Sequence, residues 1–108
     1  MDIKSEIENI INNSEVCLFM KGVPEAPQCG FSMAISNVLK HLNVNFKAIN
    51  VLENEEMRNG IKNFSDWPTI PQVYVKGEFI GGCDIVKEMY ENGELKKIFE
   101  DKKINFNG

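Results

Sequence analysis

Cys29 sits in the stretch PQCGFSMA, residues 27–34, where a proline-bearing loop gives way to a helical pattern. A thiol at the first turn of a helix feels unsatisfied backbone N–H groups and the positive end of the dipole. Both favour the thiolate, and cysteines in such places titrate at roughly 3.5–7.5. Gly30 leaves the sulfur open to a large partner, and Lys21 is the only basic residue near it in sequence. Three positions on, where a C-x-x-C motif keeps its resolving thiol, stands Ser32. Serine cannot resolve a mixed disulfide. Whatever Cys29 joins must be released by an external thiol or by Cys83, or the sulfur serves something other than redox chemistry.

The other two cysteines occupy different surroundings. Cys17 lies in EVCLFM, an apolar run that reads as a buried strand, where a free thiol packs as a small hydrophobe. Cys83 follows Gly81-Gly82 and precedes Asp84, at the point where a hairpin ends and a helix begins. Two glycines there permit close backbone approach, and a helix N-terminus offers N–H groups to an anion. Three cysteines at wide spacing do not make a secreted disulfide framework. His41, the one histidine, reads as a surface residue near a helix C-terminus, with no second histidine to complete a metal site.

These residues need elements to carry them. Ile3, Ile7, Ile10 and Ile11 recur at helical spacing and predict a helix over residues 2–13. VCLFM (16–20) is a short, continuously apolar strand, and KGVPEAPQ (21–28) is a loop. Phe31, Ala34, Ile35, Val38 and Leu42 mark the buried stripe of a helix over about 30–42. A strand over 45–51 and a helix over 53–64 follow; QVYV and EFIG around Lys76-Gly77 form a hairpin. DIVKEMYENG ends on Gly93 as a helix cap, ELKKIFED adds a turn or two, and KKINFNG is expected to fray. The order α-β-α-β-α-β-β-α calls for a parallel pair early and an antiparallel pair late. A mixed four-stranded sheet with helices on both faces satisfies both, which is a thioredoxin-like α/β fold.

The 108 residues suffice for one compact domain, expected over 1–101 with a flexible tail at 102–108. Sixteen acids against twelve bases, a net charge of −4, give no electrostatic reason to expect nucleic acid or an anionic membrane. No apolar run approaches the roughly 20 residues of a bilayer span. The N-terminus reads as neither secretory signal nor Arg-rich transit peptide, so the cytoplasm is the expected compartment.

KGVPEAPQCGFS, NVLEN and WPTIPQVYVKGEFIGGCDIVKEMYENGEL, in that order, resemble the monothiol glutaredoxins of the C-G-F-S type, over about residues 16–95. The resemblance implies a glutaredoxin fold and a bound glutathione, a tripeptide with a carboxylate at each end. Lys21 and Arg58, the only arginine, would hold its glycine carboxylate; a bidentate fork suits that role. Ile70-Pro71 matches the family's cis-proline position, with the Ile70 backbone pairing to the cysteinyl part like an added strand and Thr69 lining the same groove. The backbone at Gly82 and Cys83 would take the γ-glutamyl carboxylate, and Asp84 the amino group.

Two functions compete. In one, the Cys29 thiolate takes glutathione from a protein mixed disulfide and a second glutathione releases it. In the other, Cys29 is a metal ligand. A 2Fe–2S cluster needs four thiolates; two chains, each with a glutathione, supply them. The resemblance points to the second: a cluster shared by a homodimer and passed to apo iron–sulfur proteins, heterocomplexes with BolA-like proteins, and weak oxidoreductase activity at most.

Overall fold

The structure, a computed structural model, describes residues 2–107. The chain runs α1 (Ile3–Asn13), β1 (Val16–Met20), β2 (Gly22–Val23), β3 (Ala26–Pro27), α2 (Gly30–His41) and β4 (Lys47–Asn50). A 3-10 turn at Val51–Glu53 leads to α3 (Glu55–Ser65), β5 (Gln72–Val75), β6 (Glu78–Gly82), α4 (Cys83–Asn92) and α5 (Glu94–Asp101). The main sheet has the order β4-β1-β5-β6, with β1 parallel to β4 and antiparallel to β5, and β5 antiparallel to β6. That is the expected mixed four-stranded sheet.

Its central strand explains the unbroken apolar run. Val16, Leu18 and Met20 of β1 join the core under α2, α4 and α5, with Ile35, Leu39, Val86, Leu95 and Phe99. Cys17 and Phe19 point the other way, into the core under α1 and α3, with Ile7, Ile11, Ile61 and Tyr74. A strand covered on both faces has no polar side to alternate. Cys17 is fully buried and its thiol donates to the Ile10 and Ser14 carbonyls at 3.5 and 3.7 Å, a packing role as the sequence suggests.

Helix starts are set by side-chain caps. Asp2 accepts from the Ser5 amide at 2.8 Å, so α1 begins at residue 3 rather than 2. Asn54 accepts from the Met57 amide at 3.2 Å, which moves the expected start of α3 from residue 53 to Glu55. The segment expected to be a plain loop, 21–28, contains the small β2–β3 pair, with Gly22 opposite Pro27 and Val23 opposite Ala26. The Ile70-Pro71 bond is cis, as expected. Among the described residues no helix is long and apolar enough to cross a membrane.

The expected fraying after residue 101 does not match the packing of residues 102–107. Ile104 is buried and Phe106 packs on Phe99, ring centroids 5.7 Å apart. The Asn107 amide donates to the Leu42 carbonyl at 2.6 Å, and the Asn43 side chain donates to the Asn107 carbonyl at 2.9 Å. Two apolar side chains and a backbone clasp tie this segment to the end of α2. Residues 1 and 108 lie outside the described residues.

Candidate functional site

Cys29 is the N-cap of α2, with extended backbone, and its carbonyl accepts from the Met33 amide at 2.9 Å. The side chain makes no capping hydrogen bond as a thiol, which leaves the amides of the first turn to favour the anion. The Ser32 N–H holds the Cys29 pKa below the ordinary thiol range; slight burial opposes it, and the Phe31 N–H, the Ser32 hydroxyl and the Lys21 charge add to it. A Cβ placed on Gly30 meets nothing within 4 Å, so the residue beside Cys29 faces open space, and Cys29 itself is partly exposed. Ser32 itself is sealed, at 0% exposure, and its hydroxyl accepts from the Lys21 amide at 3.0 Å. The residue standing in for a resolving thiol is thus a buried tie between the site's helix and its loop.

Cys29 opens onto a groove of about 430 Å³. One wall is Thr69 and Ile70 with Trp67 and Pro68; the other is Gly82, Cys83, Asp84 and Ile85 at the start of α4. Lys21, Lys62 and Phe31 complete the lining. Seven of the residues singled out from the sequence therefore meet in one place: Lys21, Cys29, Thr69, Ile70, Gly82, Cys83 and Asp84. Pro71 is buried behind the wall rather than lining it.

Arg58 is half-buried on α3 and does not line the groove; Lys62, one turn later on the same face, does. Nothing local in the sequence distinguishes Lys62 from other helix-surface lysines. Its backbone carbonyl accepts from the Trp67 amide at 3.1 Å, so the helix end that carries it also fixes the Trp67–Ile70 wall.

Gly82 is required by its neighbour. A Cβ there meets the Trp67 indole nitrogen at 2.8 Å, and that nitrogen is buried with no hydrogen-bond partner. Trp67 stacks against Phe79 at 5.9 Å, so the ring cannot readily retreat. Cys83 opens α4 and its thiol donates weakly to the Phe31 carbonyl at 3.8 Å. Burial and the adjacent Asp84 carboxylate raise its pKa, which keeps it a thiol where Cys29 is disposed to ionise. All three cysteines are free. His41 packs edge-on to Tyr90 at 6.0 Å, and no cluster of three His, Cys, Asp or Glu side chains capable of holding a metal occurs among the described residues.

A mixed sheet of this order, with one activated thiol at the start of α2 beside a cis-proline loop, defines a thioredoxin-fold protein built around a single reactive cysteine. The glutaredoxin family model matches residues 16–80. The mitochondrial monothiol glutaredoxin-5 of Lachancea kluyveri is 55% identical over 93% of this chain and 72% of its own length. The probable monothiol glutaredoxin 2 of Rickettsia typhi is 53% identical over 89% of this chain and 86% of its own. A solution structure of a monomeric truncated mutant of Trypanosoma brucei 1-C-Grx1 superposes with a TM-score of 0.90 at 42% identity, covering 100% of this chain and 97% of that one. The chain belongs to the glutaredoxin family and is a monothiol member of it.

Proposed function

We propose that this protein carries a 2Fe–2S cluster, as cargo, between two copies of itself and delivers it to apo iron–sulfur proteins, with glutathione completing the ligand set. One observation carries the reading: each chain presents one partly exposed, ionisation-prone sulfur, and position 32 holds a sealed hydroxyl in place of a second thiol. Soft thiolates suit iron–sulfur clusters, and four are required. Cys17 is buried and Cys83 is held protonated, so one chain supplies one ligand. Two chains and two glutathiones supply four.

In the groove, Lys21 and Lys62, with Arg58 one turn earlier on α3, would neutralise the glycine carboxylate. Asp84 would accept the γ-glutamyl amino group, the amides opening α4 would receive the other carboxylate, and the Ile70 backbone would pair with the cysteinyl unit. A homodimer and a heterocomplex with a BolA-like protein are the assemblies this reading expects.

The low pKa of Cys29 also favours a second reading, glutathione-dependent thiol–disulfide exchange. There the Cys29 thiolate attacks the glutathionyl sulfur of a protein mixed disulfide, and the protein leaves as thiolate. A second glutathione thiolate then attacks Cys29–SG, releasing oxidised glutathione and restoring Cys29.

Anaerobic reconstitution with iron, sulfide and glutathione tests the first reading. A coloured dimer is expected, lost in Cys29→Ser and largely kept in Cys83→Ser. Colour persisting in Cys29→Ser overturns the ligand assignment. Rapid deglutathionylation by a protein that takes no cluster moves the conclusion to the second reading.

A further inference from the structure

The peptide unit joining Lys21 to Gly22 is gripped at both ends. Its N–H donates to Asn50 Oδ1 at 2.9 Å, and its carbonyl accepts from the Gln28 amide at 2.9 Å. The same Asn50 oxygen accepts from the Leu52 amide at 3.0 Å, so one side-chain atom bridges the active-site loop and the turn after β4. An amide oxygen has two lone pairs, and both are used. Gly22 sits at φ +90°, where an added Cβ would press on the Ala26 carbonyl oxygen and the Gln28 nitrogen at 2.7 Å, so the loop is tightly closed around this unit.

The consequences reach the site from both directions. The Lys21 side chain, which lines the groove, departs from one end of the gripped unit. Gln28, whose amide donates to the carbonyl at that same end, is covalently joined to Cys29, while Asn50 holds the N–H end. Asn50 lies outside the lining residues, on a strand that gives the groove no wall.

We propose that Asn50 is a positioning residue, its side-chain oxygen fixing the Lys21–Gly22 peptide and thereby where Lys21 stands for an incoming carboxylate. The effect on binding rests on the glutathione reading above; the clamp itself does not. A neutral acceptor fits the role, because an aspartate would take the same two bonds while bringing a negative charge near the lysine that must meet a carboxylate.

The test compares the parent with Asn50→Ala and Asn50→Asp by calorimetric glutathione binding and by amide hydrogen exchange at Gly22, with the Leu18 amide as the control for global loosening. In Asn50→Ala, Gly22 exchange should accelerate and glutathione affinity fall, each about tenfold, with Leu18 unchanged. Asn50→Asp should restore Gly22 protection while binding with intermediate affinity. Parental affinity in the alanine variant, or an aspartate variant no better protected than alanine, overturns the proposal. Should the alanine variant not fold, the parent decides: a protected Gly22 amide supports the clamp, and one exchanging as fast as an unstructured glycine refutes it. If the parent binds no glutathione, the functional reading falls, and Gly22 exchange in the two variants still judges the clamp.

Discussion

At Cys29 the amides of the first turn of α2 lower the thiol pKa, at Cys83 burial and Asp84 raise it, and at Cys17 burial pushes it up to about 11. Alkylation followed by peptide mass should therefore modify Cys29 first at neutral pH, Cys83 more slowly, and Cys17 only on unfolding. The lowered folded-state pKa of Cys29 also has a sign for stability. Its contribution is present in full above the ordinary thiol value of 9.0 and is lost as pH falls through the lowered value. The stability difference between the parent and Cys29→Ser should accordingly shrink on acidification, read by denaturant unfolding at several pH values. Cys29 was legible in the sequence because its signal is local: proline, loop, glycine, helix. That Lys62 lines the groove is not legible there, because which turn of α3 faces the site depends on how that helix seats on the sheet.

The loop between β1 and α2 carries order that no local pattern encodes. Two-residue strands such as β2 and β3 carry no periodicity, so 21–28 read only as a break. Its order comes from distant partners: Asn50 at the Gly22 amide, Ser32 at the Lys21 amide, and the Lys40 ammonium on the Pro24 carbonyl at 2.6 Å. Gly22→Ala forces both a left-handed backbone and a backbone clash. It should cost roughly 1–3 kcal/mol in chemical denaturation, and more if the clash cannot relax. By contrast the hairpin at Lys76-Gly77 was plain from sequence, since two positive-φ residues between apolar strands are what a tight turn needs.

On the scale of the whole molecule, the order of elements admits few sheets, and the continuous apolar character of VCLFM requires cover on both faces; that much follows from pattern alone. The closing segment does not. KKINFNG looks solvated because lysine and asparagine dominate it, yet Ile104 and Phe106 find partners on α5 and α2 that no local window contains. Ile104→Ala should destabilise the protein by about 2 kcal/mol, the low end for a buried isoleucine, measured as a shift in the denaturation midpoint.

That docked ending offers a practical handle. Asn107 is clasped at the far end of α2 from Cys29, and twelve helical residues separate the two by about 18 Å. A fluorophore appended there would stand clear of the groove, yet close enough for the proposed cluster at the sulfur to dim its emission. Loading and hand-over could then be timed in solution by light alone.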